Sequence, residues 1–167
     1  MVKIYIDGGC KRKGMFSGVY CNYKDININY SKRVGQGLKK NSQELALCHA
    51  IEIIKRLGIN EEIKIYSSNN KLSEILTRKI ITDKDIKKFP MINEINRFMQ
   101  SNNIELEFIS KRKNKCRNLI KEAGKGIFYN EVGIVNLQDL ETKKGKLMKV
   151  IFNGPSNGII NYEEVIA

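Results

Sequence analysis

Hydrophobic residues alternate with polar ones three times in succession before any helical spacing appears, and that order restricts the folds open to the chain. Val2, Ile4 and Ile6 alternate with Lys3 and Tyr5, which predicts a strand. Phe16 to Asn22 is a second strand and Ile26 to Ser31 a third, with Ile26, Ile28 and Tyr30 on one face and a hairpin turn at Asp25-Ile26-Asn27. Helical spacing then begins. Asn41-Ser42 offers an N-cap, Leu47, Ala50, Ile51, Ile54 and Leu57 recur on one face, and Gly58 closes the helix. A strand at Ile63 to Tyr66, a helix at Asn70 to Arg78, a charged connector at Lys79 to Lys88, a helix at Met91 to Gln100, a strand at Ile104 to Phe108 and a helix at Asn114 to Ala123 follow. A three-strand antiparallel meander followed by alternating helices and strands predicts an α/β fold. Its mixed five-stranded sheet carries three antiparallel strands, then parallel ones, flanked by helices.

The last forty residues differ. Val132 to Val135, Leu147 to Phe152 and Ile159 to Tyr162 are strand-like, and Asn153-Gly154-Pro155-Ser156-Asn157-Gly158 is a turn. Residues 1–127 are therefore expected to form one domain and 128–167 a small β-rich extension, left open as a site of self-association or protein contact.

Thirty Lys and Arg face eighteen Asp and Glu, for a net charge of +12. Such a surplus favours polyanions, nucleic acid above all. An AT-rich genome is the other source of many Lys, Ile and Asn. The cysteines at 10, 21, 48 and 116 have neither CxxC pairing nor zinc spacing. No apolar run approaches a membrane span and no leader pattern precedes the first strand, so a cytoplasmic protein with reduced thiols, away from membranes, is expected.

The first predicted strand runs into Asp7-Gly8-Gly9-Cys10 and then a basic loop, Lys11-Arg12-Lys13-Gly14. An acid at the end of a buried strand is costly unless something positive meets it. Glu44 lies in the first turn of the first helix, where a helix dipole alone would favour it. Each acid has a structural explanation taken singly. Together, in this element order, they suit two-metal phosphoryl hydrolysis, which needs carboxylates converging on ions roughly 3.5–4 Å apart.

Here the chain resembles the ribonuclease H (type 1) family over about residues 1–124. Asp7-Gly8-Gly9-Cys10 is similar to the family's Asp-Gly-Ser-Cys, and Asn41-Ser42-Gln43-Glu44-Leu45 to its Asn-x-x-x-Glu-Leu. Tyr66-Ser67-Ser68-Asn69-Asn70-Lys71-Leu72 is similar to its Ser-Asp-Ser-x-Leu segment, and Asn114-Lys115-Cys116-Arg117-Asn118-Leu119-Ile120 to its Asn-Lys-x-Ala-Asp-x-Leu. The resemblance implies catalytic positions at Asp7, Glu44, Asn69 and Asn118. In this register Asn69 and Asn118 stand where the family has aspartates. A one-residue slip puts Ser68 at the third position, and a one-turn slip puts Glu122 at the fourth. Metal ligands would then be Asp7 and Glu44, joined by Glu122 if it reaches the site. Two carboxylates set about −2 against the roughly +4 of two divalent ions, so Mg2+ or Mn2+ would be held weakly in an active protein, and an inactive one would need no cofactor.

The resemblance further implies nucleic-acid contacts at Gly8, Gly9, Cys10 and Asn41. The basic clusters Lys11, Arg12 and Lys13 and Lys111, Arg112, Lys113, Lys115 and Arg117 fall near the predicted strand ends, where they would position phosphates; the other reading is a solvated lysine-rich surface. The partner would be an RNA/DNA hybrid or a duplex. Classical members carry a histidine before the last helix, where Lys111 to Lys113 stand here. The lone His49 falls beside Glu52 and Arg56, off the apolar stripe, and is expected at the surface, whereas Met91, Phe98 and Met99 are expected in the core. Two readings result: a metal-dependent endonuclease on hybrids with a weakened metal site, and a catalytically inactive module binding nucleic acid or a protein partner.

Overall fold

Strands β1 (Val2–Lys11), β2 (Gly14–Tyr23) and β3 (Ile26–Arg33) form the antiparallel meander that the alternation predicts. The register pairs Ile4 with Cys21, Ile6 with Val19 and Cys21 with Ile28. One face of all three strands is therefore apolar, and these residues are fully buried. The computed structural model describes residues 1–11, 14–24, 26–35, 39–134, 146–152 and 160–166, with the backbone alone at 26, 39, 130–134, 146–152 and 160–166.

Helix α1 (Lys39–Leu57) lies across that apolar face. β4 (Ile63–Ser67) runs parallel to β1, and β5 (Ile104–Phe108) parallel to β4. Between them come α2 (Asn70–Arg78), α3 (Asp83–Lys88) and α4 (Ile92–Ser101). After a 3-10 turn at Lys111–Lys113, α5 (Arg117–Ala123) covers the opposite sheet face. The mixed five-stranded sheet flanked by helices is thus present, in the order β5-β4-β1-β2-β3.

Two cores result. The larger one joins the strands to Leu47, Ala50 and Ile54 of α1, Leu72 and Ile75 of α2 and Ile92, Ile95 and Met99 of α4. Each leucine, isoleucine or methionine among them contributes roughly 1.5–3 kcal/mol of burial. The smaller one, under α5, gathers Tyr5, Cys116 and Leu119, with Tyr20, Tyr66 and Tyr129 at its margin. Tyr5 stacks on Tyr66 at 4.9 Å, and Lys115 lies over the Tyr5 ring.

Strands β6 (Asn130–Ile134), β7 (Lys146–Phe152) and β8 (Ile160–Ile166) continue the same sheet beyond β3, all antiparallel. The C-terminal segment therefore adds to the main sheet at a strand that would otherwise be an edge. Asp25, Val135, Ile159 and the expected turn at 153–158 lie outside the described residues.

Several local expectations need correction. The segment expected to be a charged connector contains α3, whose start is a capping box: Asp85 N donates to Thr82 Oγ1 at 3.2 Å and Thr82 N to Asp85 Oδ2 at 3.0 Å. Met91 is 43% exposed, because it sits at the N-cap of α4 and not on its inward face. His49 is buried, not exposed. The sheet reaches beyond the apolar stripe of α1, and Ser17 of β2 and Tyr30 of β3 cover the ring. Its Nδ1 lies 2.8 Å from Ser17 Oγ, and burial, then Lys32, pushes its pKa down to about 3. Among the described residues no helix is long and apolar enough to cross a membrane.

Candidate functional site

The central strand β1 pairs parallel with β4 on one side and antiparallel with β2 on the other. Its carboxyl end is therefore where the sheet switches direction, the usual place for a ligand in an open α/β sheet. Asp7 lies there, 5% exposed. Its Oδ1 accepts from its neighbour's Gly8 N and from Gln43 Nε2, both at 2.9 Å. Gln43 Nε2 also donates to Gly8 O at 3.2 Å, which ties α1 to β1 across the site.

This contact depends on Gly8. A Cβ there would fall 2.9 Å from Gln43 N and 2.8 Å from the Ser42 carbonyl carbon, both backbone atoms. Only glycine lets α1 approach closely enough for Gln43 to reach Asp7. On the other face Gly18 plays the matching part, with space for a Cβ limited to 3.0 Å by Cys116 Sγ, so α5 sits low on the sheet. Asn114 fixes the start of α5. It donates to Ile6 O at 2.9 Å and Ser68 Oγ at 3.0 Å, and it accepts from Cys116 N at 3.0 Å. That use of Asn114 explains why α5 begins three residues later than its periodicity predicts.

Glu44 goes elsewhere. Consecutive helical residues diverge by roughly 100°. Gln43 faces Asp7, while Glu44 Oε2 accepts from Met91 N at 2.7 Å, at the N-terminus of α4. Burial raises its pKa, offset in part by the Met91 bond and by Asn41. The expected meeting of Asp7 and Glu44 is not among the contacts of either carboxylate. Asn69 Oδ1 accepts from Leu72 N at 3.0 Å and so caps α2. Asn118 is exposed. Glu122 receives the Tyr129 hydroxyl, which raises the tyrosine's pKa. Among the described residues, no three His, Cys, Asp or Glu side chains form a group able to hold a metal ion.

What does converge is positive charge. Between the end of β1 and α5 runs a groove of about 480 Å3 lined by Asp7, Gly8, Gly9, Cys10, Lys11, Lys111, Arg117, Lys121 and Lys125, among others. Five cations thus face one carboxylate. Lys11 Nζ donates to Gly124 O at 3.2 Å, which anchors it at the C-terminal end of α5. Lys121 and Lys125 were missed in the sequence. Lys121 follows Arg117 at the i,i+4 spacing that shares a helix face, a signal available without coordinates. Lys115 turns instead to Tyr5, Arg112 and Lys113 are exposed on the 3-10 turn, and Asn41 bonds Glu44. Arg12 and Lys13 lie outside the described residues. A larger hollow, about 970 Å3, lies elsewhere, along β5, α2 and α3. Opposite charges there pair with one another, Arg78 with Asp85 at 3.0 Å and Lys64 with Glu107 at 3.2 Å.

No protein-family model and no curated protein sequence matches the chain. Ribonuclease H1 of the halophilic archaeon Halobacterium salinarum is similar in structure, with TM-score 0.59 and 15% identity over 75% of this chain and 98% of that one. LC11 ribonuclease H1 in complex with an RNA/DNA hybrid aligns at TM-score 0.57 and 19% identity, over 74% of this chain and 99% of that one. A foamy viral protease–reverse transcriptase with an RNA/DNA hybrid aligns at TM-score 0.53 and 12% identity, over 75% of this chain and 18% of that one. The fold is ribonuclease H-like.

The sequence resemblance raises the expectation of divalent metal at the end of β1. Among the described residues the acidic side chains do not gather into a group of three that could share such ions. Asp7 Oδ1 is already engaged by two N–H donors, Glu44 is committed to Met91 N, Asn69 caps a helix and Glu122 meets Tyr129.

Proposed function

We propose that this protein binds nucleic acid on a ribonuclease H-like fold, gripping the phosphate backbone of an RNA/DNA hybrid or duplex in the groove between β1 and α5, without efficient hydrolysis. The observation that carries the reading is the lining of that groove, where Lys11, Lys111, Arg117, Lys121 and Lys125 face the single carboxylate of Asp7. Lysine and arginine side chains position phosphates without reading sequence. Two structures with this fold hold RNA/DNA hybrids, which supports the same partner here. The dispersal of the carboxylates supports a binding role over a hydrolytic one. None of the four cysteines is in a disulfide, which suits a reducing cytoplasm.

The test is an incubation of the full chain with end-labelled hybrid and Mg2+ or Mn2+, with binding followed in parallel by fluorescence anisotropy. Saturable binding without 3′-hydroxyl cleavage products is expected. Metal-dependent cleavage at a rate typical of enzymes would establish the endonuclease reading instead. Absence of binding would refute nucleic acid as the partner.

A further inference from the structure

We infer that the groove holds a backbone phosphodiester directly, with side-chain cations supplying the charge that a metal pair would otherwise supply, and that Asp7 serves as an internal anchor and not as a metal ligand. This rests on the nucleic-acid reading above and names how the site works.

The first reason is the state of Asp7. Both N–H donors converge on the same oxygen, and the donor from α1 is held by backbone packing of Ser42 and Gln43 onto Gly8. With Oδ1 taken, an ion would have Oδ2 alone on this carboxylate, and among the described residues no group of three His, Cys, Asp or Glu side chains gathers to complete its shell. The second reason is the field. Five cations surround one carboxylate in a groove walled by protein. The potential that draws in a phosphate repels a divalent cation, and both effects grow as water is excluded. The third reason is preorganisation. Arg117 and Lys121 stand one turn apart on α5, and Lys11 is already tied to Gly124 O, so these groups converge before the ligand arrives. In this arrangement the Asp7 carboxylate opposes the ligand electrostatically while holding α1 to β1.

The experiment measures hybrid affinity of the full chain by fluorescence anisotropy, in excess EDTA and in millimolar MgCl2 at matched ionic strength. Three proteins are compared: wild type, Asp7→Asn and Arg117→Ala/Lys121→Ala. Asparagine keeps an acceptor for both N–H donors, so the fold is retained. Wild type is expected to bind equally in both buffers, within about twofold. Asp7→Asn is expected to bind tighter, by roughly threefold or more, because a like charge near the phosphate is gone. The double alanine variant is expected to lose about tenfold or more. Titration with Mn2+ alone, read by electron paramagnetic resonance, should show no saturable site that Asp7→Asn abolishes. The inference is overturned if Mg2+ or Mn2+ raises wild-type affinity about tenfold and Asp7→Asn removes that gain; nucleic-acid binding then stands. Absence of binding in either buffer overturns both.

Discussion

The amide of Gln43 donates to the carboxylate of Asp7 at 2.9 Å, and that single bond joins the first helix to the central strand at the point where the sheet changes direction. A neighbouring residue on the same helix, Glu44, was the expected partner in chemistry. It instead caps α4 through Met91 N. The two side chains divide what the sequence suggested as one role: Gln43 builds the site and Glu44 builds the helix layer beneath it.

Gly8→Ala should break the approach on which this contact depends. The added methyl meets Ser42 Oγ, which can rotate away, and also backbone atoms of Ser42 and Gln43, which cannot. Overpacking of this kind costs about 1–3 kcal/mol. Urea unfolding should show that loss, and hydrogen exchange should show the first turn of α1 opening more readily than its C-terminal half.

Glu44 has a raised pKa in the folded protein, caused first by burial. Below the ordinary glutamate value of 4.5 both folded and unfolded states are protonated, and the group contributes nothing to pH dependence. As pH rises, the unfolded chain ionises first, so stability falls through the interval up to the folded pKa. Glu44→Gln should remove this fall and still accept from Met91 N. It is therefore expected to be more stable than wild type at pH 7 and to differ little at pH 4, by urea midpoint. Glu44→Ala leaves Met91 N unpaired and should cost about 1–3 kcal/mol at either pH.

His49 works in the opposite direction. Burial pushes its pKa down to about 3 from 6.5, so the folded state refuses a proton that the unfolded chain accepts. Stability should decline as pH falls from about 6.5 toward 3, and His49→Gln should flatten that part of the profile.

Asn69 contributes as a helix cap. Asn69→Ala removes the acceptor of Leu72 N and should cost about 1 kcal/mol, while Asn69→Asp should be close to neutral, since aspartate caps equally well. The pair Asn69→Asp/Asn118→Asp should remain without metal-dependent cleavage, because Asp7 and Glu44 keep their present partners.

The meander, α1 and the parallel strands were legible because each has a long period of apolar residues that no local feature contradicts. α3 was not, since its six residues are almost all charged and only the Thr82–Asp85 pair signals a start. His49 was misplaced because an apolar stripe marks only the centre of the buried face, and the sheet extends past it to cover His49 with Ser17 and Tyr30. At the site, Asp7 and the glycine pair were legible as a strand end meeting a turn. The choice between Gln43 and Glu44 was not, because it depends on how far α1 is rotated about its axis, and that is fixed by contact with Gly8 and α4. The placement of β6, β7 and β8 on β3 likewise rests on long-range strand register, which alternation alone does not specify.

The most direct measurement is the salt dependence of hybrid affinity, compared between wild type and Lys121→Ala. A phosphate-gripping groove predicts that the logarithm of the binding constant falls linearly with the logarithm of salt concentration, and that loss of Lys121 reduces the slope by about 0.9. A slope near zero, or one identical in the two proteins, would contradict the assignment of the β1/α5 groove as the nucleic-acid site.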